Sequence, residues 1–199
     1  MARAGGNKAK WALSLAGASI LFVPVTIVLH ELAHLIAALA LGFPNPEFHF
    51  NAVSPGDVRG QAQWELGAVA LAGPIVTALL TGLGLVAHRR RPQSAWPFAL
   101  AISAASRFAV AVPFSLANLY VRATGGRLAP PAFDEQKAAD ALGWSGELLL
   151  GATSATFLLV LGWLVVALPN RRLSVPAMLI GTAAGWAAWM AGLGPVLFP

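Results

Sequence analysis

Residues 11–41 form one apolar run whose only ionisable side chains are grouped in His30-Glu31-Leu32-Ala33-His34. As a helix, these 31 residues would reach about 46 Å, well past the roughly 30 Å hydrocarbon core of a bilayer. Lipid offers the backbone no hydrogen bonds, so a helix that tilts or protrudes is the conformation such a run can adopt. The same helix stacks His30 over His34 on one face, where both can bind one metal ion. Glu31 falls on an adjoining face, within reach of the proton of a metal-activated water. This is a zinc hydrolase constellation set at membrane depth. Two imidazoles and a carboxylate are costly to bury in an apolar helix without a strong partner, and Zn²⁺ supplies one. The alternative is a histidine pair hydrogen-bonded between helices.

The rest of the chain fits that setting. It is 57% hydrophobic and 11% charged, with mean hydropathy +0.69, outside the soluble range. The net charge of +5 does not indicate nucleic acid, because the basic residues fall in short clusters beside apolar runs. There is no cysteine, so a metal must be held by His, Asp or Glu. The basic start of the chain resembles a signal-peptide n-region, but the apolar run behind it is too long and carries the histidines; a retained membrane helix is expected.

The predicted architecture is all-α and polytopic, a single membrane-embedded domain over 1–199 with about five transmembrane helices at 11–41, 66–87, 95–121, 147–168 and 175–197. Pro24 should kink the first helix, which stops at Gly42-Phe43-Pro44. The extramembrane loops are 43–65 and 122–146. In the first, Glu47-Phe48-His49-Phe50 alternates like a strand, Ser54-Pro55-Gly56-Asp57 is a turn, and 58–64 is the expected returning strand of a small surface hairpin. The second carries a Gly125-Gly126 turn, Pro130-Pro131 and an acidic run from Asp134. The second helix bears small residues at helical spacing and a Gly73-Pro74 break, which suggests a central position; Gly181 and Gly185 suggest another close helix contact. Trp11, Trp96 and Trp144 read as interfacial anchors.

Eight basic residues (Arg3, Lys8, Lys10, Arg89, Arg90, Arg91, Arg171, Arg172) fall on one side of this scheme. Arg59, Arg122, Arg127 and Lys137 fall on the other, and Arg107 lies within the membrane. The positive-inside rule then places a multi-pass chain in the cell membrane, with its N-terminus cytoplasmic and its C-terminus extracytoplasmic. Arg107 is an intramembrane charge that could pair with a carboxylate near the metal, hold an oxyanion, form a structural ion pair or snorkel.

His-Glu-Leu-Ala-His in a transmembrane helix, followed by Leu71-Ala72-Gly73-Pro74 in the next, resembles the site-2 protease family of intramembrane zinc metalloproteases. The resemblance covers 27–142 through short motifs, and His30, Glu31, His34, Gly73 and Pro74 carry over directly. It implies an aspartate as third zinc ligand, although the family's usual N-x-x-P-x-x-x-L-D-G motif is missing. Thr77 stands where an asparagine is expected. Asp134, ahead of the 147–168 helix, is the leading third ligand, with Glu135, Asp140 and His49 as alternatives. A catalytic zinc keeps three protein ligands and an open position, so a third carboxylate also suits the chemistry. Helix capping is the competing role for Asp134-Glu135, in a segment that begins at Gln136. Gly73, Pro74, Thr77 and Arg107 are candidate substrate or transition-state contacts.

The sequence-level expectation is a zinc-dependent intramembrane endopeptidase acting on membrane-spanning or membrane-proximal proteins, with lipid as its surroundings. A metallopeptidase for short or soluble peptides is the alternative within hydrolases. A non-catalytic metal-binding or transport protein is the alternative of another class. His30 lies nineteen residues beyond Trp11, about 28 Å along the helix, so it and Asp134 are expected in the outer half. Many site-2 proteases are expected to open toward the cytoplasm instead.

Overall fold

A computed structural model describes residues 2–125 and 133–198. Gly126, Arg127, Pro130 and Pro131 lie outside the described residues, as do the side chains of Arg3, Asn118 and Arg122. The chain forms a helical membrane bundle with one small antiparallel sheet. The order is α1 (Ala2–Ala40), β1 (Glu47–His49), β2 (Ala52–Ser54), α2 (Gln63–Arg90), α3 (Trp96–Ala123), α4 (Asp134–Leu142), α5 (Gly146–Ala167) and α6 (Arg171–Ala188). A π-helical turn, Trp189–Leu193, and the short α7 (Gly194–Leu197) complete it. Among the described residues, five helical stretches are long and apolar enough to cross a membrane: Asn7–Ala40, Gln63–Arg90, Trp96–Val121, Gly146–Ala167 and Arg171–Leu197.

Packing shows that these spans alternate in direction. Leu15 near the start of α1 clusters with Phe98 of α3, Leu164 of α5 and Met178 of α6. Ala38 at the far end of α1 packs instead with Phe43 and with Val69 of α2. One end of the bundle therefore holds the α2–α3 and α5–α6 turns, and the other holds the sheet and α4. Leu79, Leu83 and Val86 on α2 are exposed, as are Leu159 and Val166 on α5. In water such a surface would be a liability. Against acyl chains it is a matched face.

Small residues set how closely the helices approach. A Cβ at Gly181 would lie 2.7 Å from the Ala16 Cα, and one at Gly185 would lie 2.8 Å from the Val23 Cβ, so α6 and α1 meet backbone to backbone. Gly84 meets α3 in the same way, where a Cβ would be 2.7 Å from the Ala101 amide nitrogen. The central helix, however, is α3 rather than α2. Its run Ala99, Ala101, Ile102, Ala104, Ala105 and Phe108 is buried, and it touches α1, α2, α5 and α6. Alanine on several faces lets four neighbours close in, whereas the small residues of α2 occupy one face and its leucines turn outward.

Three local expectations are corrected. The returning strand is Ala52–Ser54 rather than 58–64, with Glu47 opposite Ser54, Phe48 opposite Val53 and His49 opposite Ala52. The hairpin turns at Phe50-Asn51, and Pro55, which has no N–H for a ladder, ends the second strand. The acidic run forms its own helix beginning at Asp134, two residues earlier than Gln136. The Gln136 Oε1 accepts from the Phe133 N–H at 3.3 Å, and Gly143 at φ 70 closes the far end in the left-handed conformation that suits glycine. The last span starts at Arg171, since Pro176 is accommodated inside the helix, and it changes to a π-turn before its end.

Candidate metal centre

His30, Glu31 and His34 project from the buried side of α1, and all three are nearly inaccessible. The Nε2 atoms of His30 and His34 are 3.1 Å apart. Asp134 Oδ2, from the first turn of α4, lies 3.1 Å from the former and 3.3 Å from the latter. One ligand atom from each of the three residues falls within 4.8 Å of the others, the set of described residues that could hold a metal ion.

The outward nitrogens decide what the inward ones can do. His34 Nδ1 lies 2.7 Å from the Val69 carbonyl oxygen. A carbonyl only accepts, so Nδ1 must carry the proton, and in the neutral ring Nε2 is left as a bare lone pair. His30 Nδ1 meets Thr77 Oγ1 at 2.8 Å, and with Nδ1 donating, its Nε2 is bare as well. Two lone pairs then face each other and a carboxylate oxygen, an arrangement that repels itself until a cation lies among them. The donor set fits a metal ion, and the Val69 carbonyl fixes the tautomer of His34.

Helix α2 serves as the backing of the two rings. A Cβ at Gly73 would overlap the Nε2 atoms of both histidines, so only glycine lets α2 come this close. Pro74 follows it within the buried face of the helix and cannot donate to the Ala70 carbonyl. Thr77 is one turn further on, against His30. Gly73, Pro74 and Thr77 thus stand behind the histidines.

Arg107 reaches from the middle of α3 to Asp134, with Nη2 on Oδ2. Its Nη1 is 3.7 Å from Glu135 Oε1. Lys137 Nζ lies 3.4 Å from Asp134 Oδ1. Burial alone would push the Asp134 carboxyl up, but the facing imidazoles and the Arg107 guanidinium hold it well below the usual carboxylate range. Glu135 points the other way: it is 1% exposed, and neither carboxylate oxygen has a hydrogen-bond partner. Burial raises its carboxyl above the usual range. His49 is far more open, on β1 beside Glu47 at 3.7 Å, and Asp140 sits on the α4 wall of the cavity.

That cavity, of about 750 Å³, adjoins the centre. Glu31, His34 and Asp134 form its floor, Val53 of β2 one side, and Leu66 and Ala70 of α2 another. Its volume falls within the range of small-ligand sites, roughly 300–1,000 Å³. The sheet is held over it from behind: the Phe50 N–H donates to the Phe198 carbonyl at 3.2 Å, and Trp189 Nε1 donates to the Phe50 carbonyl at 2.8 Å.

Two partners of the site were not legible from motifs. The Val69 carbonyl is backbone, invisible to any pattern of side chains. Lys137 carried a signal only in its spacing, one turn after Asp134. Comparison of the chain with protein-family models, with curated proteins and with solved structures found no match.

Proposed function

We propose that this chain is a zinc-dependent intramembrane endopeptidase, a short and divergent protein of the site-2 protease kind. The observation that carries the reading is the convergence of His30 Nε2, His34 Nε2 and Asp134 Oδ2 beside Glu31, on the floor of a cavity at the end of a membrane bundle. Two imidazoles and one carboxylate, with no sulfur, form the donor set of catalytic zinc sites in hydrolases. When bound, zinc would supply a Lewis acid that polarises the scissile carbonyl and makes water a nucleophile near neutral pH.

The chain's own residues do the rest. Glu31, buried at the cavity floor, takes a proton from the attacking water and delivers it to the leaving amine, so that one water is consumed per peptide bond. Thr77 and the Val69 carbonyl keep the imidazole lone pairs turned inward. Arg107 keeps Asp134 ionised and in place. A transmembrane helix must unwind before its peptide bond is cut, and β2, which lines the cavity, offers an edge to which an extended segment can add as a strand. The substrate class is accordingly a membrane-spanning or membrane-proximal protein, reached from the extracytoplasmic side by the positive-inside rule.

Glu31→Gln removes the proton carrier and leaves the three ligands. In proteoliposomes with a transmembrane substrate, this variant should lose at least about 10²-fold in cleavage, within the range expected for a general base, while binding one equivalent of zinc as wild type does. Retained cleavage by Glu31→Gln would sink the mechanism. Cleavage of the soluble fragment at the same rate as the transmembrane substrate would favour a peptidase for short peptides. Zinc binding without cleavage in the wild type would point to a transport or storage protein.

A further inference from the structure

The charge of this chain is divided between its two ends. All eight acidic residues (Glu31, Glu47, Asp57, Glu65, Asp134, Glu135, Asp140 and Glu147) belong to the half of the bundle that holds the metal centre. The opposite end, made of the start of α1 and the α2–α3 and α5–α6 turns, carries Lys8, Lys10, Arg89, Arg90, Arg91, Arg171 and Arg172 and no carboxylate. No internal counter-charge is available there.

A second cleft, of about 340 Å³, opens at that end between α1 and the α2–α3 turn. Asn7, Lys10, Trp11 and Ser14 recur at helical spacing along one face of α1 and form one wall. Gln93, Ser94 and Trp96 form the other. The lining thus offers an ammonium, two carboxamides and two hydroxyls between two indoles. Among the described residues Lys10 makes no ion pair, and the Trp11 Nε1 is a buried donor with no acceptor. An ammonium flanked by carboxamides and hydroxyls, at an end of the bundle that has no carboxylate, is complementary to an oxyanion.

Position selects which oxyanion. Trp11 is nineteen residues from His30, about 28 Å along α1, which places this cleft at the bilayer surface opposite the metal centre. Tryptophans at the headgroup level, Trp96 being exposed beside the cleft, mark the same depth. A phosphate presented there is carried by a lipid, and clusters of Lys and Arg next to a transmembrane helix are the pattern that recruits anionic lipid. We propose that the cleft binds the phosphate headgroup of an anionic phospholipid, with Lys10 as its cationic contact and Asn7, Gln93 and Ser94 as neutral donors.

The probe is phosphatidylglycerol, titrated against phosphatidylcholine into the delipidated full chain in detergent and read by native mass spectrometry. Wild type should retain one phosphatidylglycerol preferentially. Lys10→Gln should weaken that retention about fivefold, the effect of one basic residue at an anionic surface, and Lys10→Gln with Gln93→Ala should abolish the preference. Lys10→Arg should restore it. Replacing Arg89, Arg90 and Arg91 together by Gln should keep the single tightly bound lipid and lose only the weaker, salt-sensitive adducts. Equal retention of the two lipids by wild type would overturn the proposal, as would undiminished retention in the double variant or loss confined to the arginine variant. Glycerol 3-phosphate is the remaining arm: displacement of the lipid at equal concentration would assign the cleft to a soluble phosphate and reject a lipid ligand. A monodisperse size-exclusion peak for each variant separates loss of the lipid from loss of the fold.

Discussion

The pair Asp134 and Glu135 shows how one residue of register separates two identical chemistries. Asp134 faces the histidines and the cavity, while Glu135 turns into the packed side of α4 beside Arg107. Asp134→Asn should therefore weaken zinc binding by at least about tenfold, and Glu135→Gln should leave the stoichiometry and affinity near wild type, both measured by competition with a chromogenic chelator. Equal losses in the two variants would contradict the assignment of the third ligand. Thr77→Val keeps the volume and removes the hydroxyl that meets His30 Nδ1. Its expected signature is a 10- to 100-fold weaker metal affinity, the usual consequence of losing an outer partner, with the bundle still folded. Gly73→Ala is harsher. The added methyl overlaps both ring nitrogens, so zinc binding should be lost together with about 1–3 kcal/mol of stability, the range for overpacking.

Among the elements, the two-stranded sheet is too small to be stable alone. It persists through the C-terminal span, where Trp189 and Phe198 bind the backbone of Phe50 from both sides and the Phe48 and Phe198 rings pack with centroids 4.9 Å apart. Trp189→Phe removes one of those bonds and little volume. Hydrogen exchange should then speed up at the amides of residues 47–54 while α1 stays protected; unchanged exchange would show that the tryptophan does not support the sheet. The π-turn at Trp189–Leu193 belongs to the same device, since it is where the indole leaves the regular helix toward Phe50. Helix α6 is held in turn by its glycines. Gly181→Leu has no space against Ala16, and should lower the midpoint of thermal unfolding by several degrees as α6 separates from α1.

For the molecule as a whole, five alternating spans put the sheet and α4 at one membrane face and residues 88–95 at the other. A chain with no cysteine is suited to testing this. Single variants Asn51→Cys and Arg90→Cys should react with a membrane-impermeant maleimide from opposite sides, Asn51→Cys from outside intact cells; the reverse pattern would invert the orientation and move the cavity to the cytoplasmic face. The class of this bundle and two of the three residues that could hold a metal ion follow from the sequence, because both are local properties: apolar runs must become helices in lipid, and His30 and His34 share a face in any helix. The sequence also exposed the division of charge, which is a matter of order along the chain. Tertiary structure alone decided the remainder. Asp134 reaches the histidines from 104 positions away only because α4 docks against α2 and α5. Thr77, Val69 and Arg107 acquire their roles from helix packing, and α3 rather than α2 takes the centre because alanines on several faces admit several neighbours. Contacts between distant segments depend on how surfaces fit, and no spacing within one segment encodes that fit.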